Sequence, residues 1–586
     1  MPLGPVVYRP PISLLPIEVL SYIFVLGAHS QDCGLLGLPP VNAESVKTPL
    51  TYSAVCRHWR AVALGTAALW TSICITAGSM EIAGPDQEKQ FNLSHITSYL
   101  SLSRKYPLNI LFDARDIDWD FAEPEISNSS DYVPPFAKDD IQTIFSLLLP
   151  HLSRWRSIDI LTDTWAPMHT ALCMLNKQLM TNGAPLLESL TLMRCNDYIS
   201  HSPLFQPSRM KAPELFSSQD SIEPNNLPLL PLLRNITLRG VHVNWSSLAH
   251  SQPALTSLEL SSHSFDVRPT LSEFRDLLSS CPKLKSLIVN SSGFISDDED
   301  LSLKTGVHNI HKIVKPVSFP LLEELKIGYR SALEGCAILG LIHATNTRLL
   351  SLEDATHPGE IDEIEADEIL LFIAGFRSPS VALKTSCPAF PATQTLVLKG
   401  LRAQIDAIRK LLVSMPNLQS VELHQIHRPM DAIRAMLPNT FSPSPRTTYQ
   451  RLLSSRPASP SFSPSSFSTS SPCPRLRELC IWAIDLSRED LRFIAKDLLS
   501  GRLEAGAASL RRLDIHLFDS PEPASEDLEE SGMRIFKDSL DTEDDDSDIS
   551  IGDNTPDVQL DEEFQFGGIF NDPIFDAQYS PSTVSR

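Results

Sequence analysis

The stretch Pro185-Leu186-Leu187-Glu188-Ser189-Leu190-Thr191-Leu192-Met193-Arg194-Cys195 holds a word, L-x-x-L-x-L, that returns along most of the chain. Residues two apart on an extended strand share a face, so Leu190 and Leu192 point one way and Thr191 the other. With other aliphatics substituting, the word recurs at Trp155/Ile158/Ile160, Leu233/Ile236/Leu238, Leu255/Leu258/Leu260, Leu284/Leu287/Val289 and Leu322/Leu325/Ile327. It continues at Leu418/Val421/Leu423, Leu476/Leu479/Ile481 and Leu510/Leu513/Ile515, with a degenerate copy ending in Leu396 and Leu398. Between copies lie amphipathic segments such as 271–278 and 405–412, whose apolar residues follow helical spacing. Short strands alternating with helices predict an α/β array of parallel strands, each unit burying its apolar side against its neighbours. A sandwich of unrelated strands also yields L-x-L words, but it does not place helices between them. Intervals as different as 22 residues (Leu233 to Leu255) and 58 (Leu418 to Leu476) occur, so insertions are expected between units.

The pattern resembles the leucine-rich repeat, whose consensus continues to Asn or Cys; only the unit from Leu187 to Cys195 completes it plainly. The resemblance implies an irregular solenoid over residues 151–518 with a concave face. That face would expose the middle strand positions Asp159, Thr191, Thr237, Glu259, Ile288, Lys326, Val397, Glu422, Cys480 and Asp514. Asp159, Thr191, Thr237, Glu259, Lys326, Glu422 and Asp514 are then the candidate contacts to a target protein. No single charge or size dominates them.

The amino-terminal 80 residues follow a different logic. Pro16 suits a first helical position, and Glu18 stands in the first turn, where a carboxylate meets the positive end of the helix dipole. Ile17, Leu20, Phe24 and Gly27 share one face of this helix, and Val19, Ile23 and Leu26 form a second apolar stripe beside it. Val55, Trp59 and Val62 predict a second helix, and Leu69, Trp70 and Ile73 a third apolar group. The stretch from His29 to Thr51, with Gly34, Gly37, Pro39, Pro40 and Pro49, reads as a loop. About sixty residues is near the lower limit for an independent core, so a two-faced apolar helix argues for a partner or for docking on the rest of the chain.

Residues 10–78 resemble an F-box, the three-helix α module that joins a protein to a Skp-type adaptor of a cullin-RING ubiquitin ligase. The resemblance rests on Leu15-Pro16-Ile17-Glu18-Val19-Leu20, Val55-Cys56-Arg57-His58-Trp59 and Leu69-Trp70. It implies that Leu15, Pro16, Glu18, Leu20, Ile23, Phe24, Val55, Cys56, Trp59, Leu69 and Trp70 form the adaptor-binding surface and its supporting core. The long connection before Thr51 departs from the compact family pattern. Residues 79–150 read as linking helices and loops, which makes the whole an α+β and α/β chain.

Charge is unevenly placed. Residues 519–586 carry 20 acids against Arg534, Lys537 and Arg586, a net of −17 out of −22; the rest of the chain holds 51 acids and 46 bases. The body therefore shows no basic field for nucleic acid, and the acidic tail reads as disordered, with Ser547 in an acidic run and Phe564, Phe566, Phe570 and Phe575 within it. Residues 442–472 contain 12 Ser and 6 Pro and read as a disordered insertion, with Ser-Pro pairs at Ser442, Ser444, Ser459, Ser463 and Ser471 as candidate phosphorylation sites. No stretch approaches the roughly twenty apolar residues that span a bilayer, so no membrane is expected as a partner. The 10 cysteines form no CxxC pair and predict reduced thiols in the cytoplasm or nucleus.

Catalytic words are missing: there is no GxGxxG, P-loop or HExxH. The H-x-x-H pairs His308/His311 and His424/His427 lack further ligands, and the acidic run 360–365 reads as a solvated surface. No cofactor, metal or enzymatic chemistry is expected. The resemblances together imply the substrate-recruiting subunit of a Skp-cullin-F-box ubiquitin ligase. The alternative is an interaction scaffold whose amino-terminal helices cap the repeat array.

Overall fold

The computed structural model describes residues 12, 15–29, 43–82, 90–116, 133–195, 202–216, 230–250, 254–295, 315–356, 366–376, 388–437, 472–483, 486–517 and 534–537. Within them, fourteen strands form one sheet whose spatial order follows the chain. These are β1 (Ser72–Thr76), β2 (Leu108–Ala114), β3 (Trp155–Thr162), β4 (Ser189–Arg194), β5 (Asn235–Arg239), β6 (Ser257–Ser261) and β7 (Ser286–Asn290). They continue as β8 (Glu324–Tyr329), β9 (Leu349–Asp354), β10 (Thr395–Lys399), β11 (Ser420–His424), β12 (Glu478–Ala483), β13 (Arg512–Leu517) and β14 (Arg534–Lys537). Every neighbouring pair is parallel. The chain is thus a mixed α/β protein built on one open parallel sheet.

Register explains the recurrent word. The two strand aliphatics of each copy lie opposite those of the next: Leu190 meets Ile236, which meets Leu258, then Leu287, Leu325, Leu350, Leu396, Val421, Leu479 and Leu513. None of these side chains is more than 5% exposed. They share one apolar core with residues of the intervening helices, among them Phe274, Leu277 and Leu278 of Leu271–Ser279 and Ile408, Leu411 and Leu412 of Ile405–Ser414. Thr270 begins the first of these with a reciprocal cap, its hydroxyl accepting from Glu273 N while the Glu273 carboxylate accepts from Thr270 N.

A backbone device accompanies this packing. From β4 to β12 the carbonyl just before each strand accepts two successive N–H groups of the next unit: Glu188 O from Arg234 and Asn235 N, Arg234 O from Thr256 and Ser257 N, and Thr256 O from Lys285 and Ser286 N. Lys285, Glu323, Arg348, Gln394, Gln419 and Arg477 carry the same double acceptor onward. A carbonyl has two lone pairs, and this geometry uses both.

The ladder exposes a unit that the aliphatic word does not contain. Strand β9 follows Thr347-x-x-Leu350-x-Leu352, with threonine at the first position, and β10 follows the like-built Thr393-x-x-Leu396-x-Leu398. Both threonines are fully buried, and their hydroxyls donate to the carbonyl three residues back, Ala344 at 3.0 Å and Phe390 at 2.9 Å. A satisfied hydroxyl makes a small polar residue tolerable in a core.

The sheet also begins earlier and ends later than the copies recognised in the sequence. β1 falls inside the segment expected to complete the amino-terminal module, β2 lies within the expected linker, and β14 within the acidic tail. The Ser-Pro segment 442–471, His308, His311, the acidic run 360–365, Ser547 and the tail phenylalanines lie outside the described residues.

The amino-terminal helices are divided differently from the sequence expectation. α1 is Ile17–His29, α2 is Ala43–Val55 and α3 is Arg57–Gly65. Residues 43–51, expected in a loop, are helical despite Pro49, because Val46, Pro49 and Ser53 form a buried stripe at helical spacing and the Pro49 carbonyl accepts Ser53 Oγ at 2.8 Å. Val55 and Trp59 stand on separate helices, since Cys56 between them is extended (φ −162°, ψ 169°) and caps α3, its sulfur accepting from Trp59 N at 3.4 Å. Leu69 and Trp70 lie in a 3₁₀ turn, Ala67–Trp70, and Ile73 is already in β1.

Leu350→Ala removes a buried aliphatic from the threonine-headed unit and leaves a cavity that both neighbouring strands line. It should cost about 2–5 kcal/mol in urea unfolding, as at the consensus position Leu287; a loss below about 1 kcal/mol would show that β9 is not an equal member of the core.

Candidate functional site

α1 is apolar on two sides, and the fold buries only one of them. Leu20, Phe24 and Ala28 face the module's interior, with Leu20 0% and Phe24 1% exposed. Phe24 stacks on Tyr52 at 4.5 Å between ring centroids and meets Trp59 at 4.8 Å. The opposite stripe, Val19, Tyr22, Ile23 and Leu26, follows i, i+3, i+4, i+7 spacing and lies open, with Tyr22 64% and Leu26 53% exposed. Ile17, in the first turn, joins the exposed set although it shares a face with Leu20 and Phe24 by spacing. Val55, at the end of α2, is 57% exposed, and Cys56 is exposed beside it.

The eleven expected adaptor-surface residues therefore separate into two groups. Pro16, Glu18, Ile23, Val55 and Cys56 are exposed, with Leu15 and Trp59 half-buried. Leu20, Phe24, Leu69 and Trp70 are core residues. Tyr22 belongs with the open stripe and was not among the sequence candidates; its i+3 relation to Val19 is the signal that finds it.

This stripe is held in place by the rest of the protein. Trp70 Nε1 donates to Ala63 O at 2.9 Å, and Thr66 Oγ1 donates to Ser21 Oγ at 3.0 Å, tying α1, α3 and the 3₁₀ turn together. Tyr99, in the helix Ser94–Leu102 that links β1 to β2, donates to Val46 O of α2 at 2.6 Å and packs edge-on against Trp70. The amino-terminal helices and the first strands thus share one core.

The second candidate surface is the sheet face opposite the inner aliphatics. Register aligns its middle positions as one column: Asp159, Thr191, Thr237, Glu259, Ile288, Lys326, Ser351, Val397, Glu422, Cys480 and Asp514. Thr191, Thr237, Glu259, Ile288, Lys326 and Glu422 are half-buried along it. Asp159, Val397, Cys480 and Asp514, expected to be exposed, are buried. For Asp514 the reason is a short ion pair with Arg512 on its own strand. For Asp159 the reason is that the first strands are covered on both faces: Cys74, Leu111 and Leu161 occupy outward positions there and are buried too. The near-continuous aliphatic runs Leu108-Asn109-Ile110-Leu111-Phe112 and Ile158-Asp159-Ile160-Leu161 carry that signal in the sequence.

Toward the other end the same face carries an aromatic ladder. His424, Trp482 and His516 are register neighbours on β11, β12 and β13, and their rings stack at 4.0 Å and 4.8 Å with interplanar angles of 6°. His424 lies 3.3 Å from the Glu422 carboxylate, whose acidity this contact strengthens; Lys399 pairs with Glu353 at 3.8 Å nearby. The ladder was not among the sequence candidates, because its members lie two residues beyond the middle positions and 34 to 58 residues apart (His424 to Trp482, Trp482 to His516).

Among the described residues no helix is long and apolar enough to cross a membrane. Neither protein-family models nor curated proteins give a match to the chain.

Burial lifts the Asp159 carboxyl to about 6. A group whose folded value lies above its unfolded one favours folding at low pH and loses that contribution as pH rises through the folded value. Asp159→Asn should therefore raise the thermal midpoint above wild type at pH 7.5, by up to about 3 kcal/mol in stability, with the difference closing at pH values below about 4. Equal midpoints at pH 7.5 would show that Asp159 is not held in a desolvated site.

Proposed function

We propose that the protein is a recruiting subunit of a ubiquitin ligase, docking a Skp-type adaptor through α1 and the α2–α3 junction and holding a target protein on the sheet. The observation that carries this reading is the exposed stripe Val19, Tyr22, Ile23 and Leu26 on a helix whose other face is locked in the core. A contiguous apolar surface of this kind is unfavourable in water and marks a protein-binding face. A pure capping role for these helices accounts for the buried face alone, since Leu20, Phe24 and Tyr99 already close the core without the outer stripe. The F-box-like words of the sequence support the identity of the partner, and the repeat-like sheet supports a solenoid presenting a target.

The mechanism under this reading is proximity. Each of the two surfaces binds one protein, and the shared core between them fixes their separation. A target lysine is then held near the charged ubiquitin-conjugating enzyme of the complex at raised effective concentration. The target's chemistry would be read by a mixed surface: the acids Glu259 and Glu422, the paired Glu324 and Lys326 at 2.8 Å, and the ring edges of His424, Trp482 and His516.

The test is binding of a purified Skp-type adaptor to the full chain. Ile23→Asp combined with Leu26→Asp should weaken it by at least about 30-fold, because each places a charge in an apolar contact. The same pair should leave folding stability within about 0.5 kcal/mol, because both side chains face solvent. Phe24→Ala should instead cost about 3–5 kcal/mol of stability. Failure of the wild-type chain to bind the adaptor, or equal binding by the doubly substituted chain, would refute the reading.

A further inference from the structure

The helix Trp165–Asn182, between β3 and β4, carries His169 and Cys173 one turn apart, and the segment after β4 brings Glu214 against them. His169 Nε2 lies 3.3 Å from Glu214 Oε1, Cys173 Sγ lies 3.7 Å from His169 Nδ1 and 3.8 Å from Nε2, and the three ligand atoms are all within 4.8 Å of one another. We propose that these three side chains form a binding site for a divalent, borderline-soft cation, with Zn(II) as the best fit.

Three features support it. The first is spacing. An optimised imidazolium–carboxylate hydrogen bond is about 2.7–2.9 Å, whereas the nitrogen–oxygen edge of a tetrahedron with zinc–ligand distances near 2.0–2.1 Å is about 3.3 Å. The observed 3.3 Å, long for an optimised ion pair, equals that edge. A nitrogen–sulfur edge is about 3.5 Å; Sγ now stands beside the ring, 3.7 Å from Nδ1 and 3.8 Å from Nε2, so a turn of the His169 ring or of the Cys173 side chain brings it to the Nε2 lone-pair side.

The second is rigidity on both sides. On the helix, Trp165, His169, Cys173 and Asn176 form one stripe at helical spacing, and its two ends grip the segment that carries Glu214. Trp165 Nε1 donates to Met210 O at 3.1 Å, and Phe216 N donates to Asn176 Oδ1 at 2.9 Å. Glu214 therefore stands between two anchors, and its carboxylate costs little ordering on binding. The third is donor chemistry and access. Imidazole, thiolate and carboxylate together suit zinc, and His169 and Glu214 side chains are 23% and 25% exposed, so an ion can enter and keep one solvent ligand. Burial and the Glu214 carboxylate hold the free thiol at about 11, so binding displaces the Cys173 proton to solvent.

Sequence spacing hides this set: His169 and Cys173 are a lone H-x₃-C pair, and Glu214 is 41 residues beyond Cys173 with β4 between them. Its bound form would clasp the helix to the 208–216 segment.

The test uses the full chain, stripped of metal, with Zn(II) or Co(II) added. Zn(II) should slow alkylation of Cys173 by at least tenfold, read peptide by peptide in a mass spectrometer with the other cysteines as internal reference. Co(II) should give a thiolate charge-transfer band that Cys173→Ser abolishes, and Glu214→Gln should weaken Zn(II) affinity at least tenfold. Alkylation of Cys173 indifferent to Zn(II) would overturn the proposal, and that readout needs no variant to fold. A Co(II) band retained in Cys173→Ser, or a Zn(II) affinity unchanged in Glu214→Gln, would overturn it as well.

Discussion

One carbonyl per unit, accepting two N–H groups from the next, sets the pitch of this molecule. From Glu188 to Arg477 nine successive carbonyls do so, and each fixes where the following strand starts. Because a one-residue slip would turn every inward aliphatic outward, the backbone ladder and the column from Leu190 to Leu513 enforce the same register. Neither constrains the chain between strands. That is why intervals as different as 22 residues, from Leu233 to Leu255, and 58, from Leu418 to Leu476, coexist in one sheet.

This division of labour decides what could be read from the sequence. The two strand aliphatics are non-negotiable, so L-x-L marked the strands from β3 onward wherever its leading residue was aliphatic. Thr347 and Thr393 escape that word because a buried hydroxyl that donates to a nearby carbonyl substitutes for a leucine. Strand β1 carries the word as Trp70-x-x-Ile73-x-Ile75, the form of Trp155/Ile158/Ile160, but there it reads as the end of the amino-terminal module; β2 keeps only Ile110 and Phe112, in register with Ile158 and Ile160, and β14 follows the regular units. In the amino-terminal module, Val55 and Trp59 have helical spacing, yet the extended backbone at Cys56 parts them into two helices, a local choice that spacing alone does not carry. Pro49 within α2 is the reverse case, where packing of Val46 and Ser53 outweighs a breaker. The surface roles of Asp159 and Asp514 failed for reasons of context, one covered on a doubly buried part of the sheet and the other neutralised by Arg512.

The amino-terminal helices are not an appendage to the sheet. Through Tyr99, Val46 and Trp70 they share its core, so the position of α1 is set by the same packing that sets β1 and β2. A helix anchored in this way can carry an apolar outer stripe at modest cost to folding, and the proposed adaptor would meet a surface already formed. At the far end, the stacked rings of His424, Trp482 and His516 offer a second rigid feature on the open sheet face. The proposed recruiting role needs both ends held apart at a fixed distance, and continuous parallel pairing supplies it.

The most direct measurement is hydroxyl-radical footprinting of the full chain, alone and with a Skp-type adaptor. Alone, Tyr22, Ile23 and Leu26 should be labelled heavily and Phe24 hardly at all; with the adaptor, labelling of the first three should fall several-fold. Protection of Tyr22 and Leu26 in the chain alone, or unchanged labelling when the adaptor is added, would contradict the account.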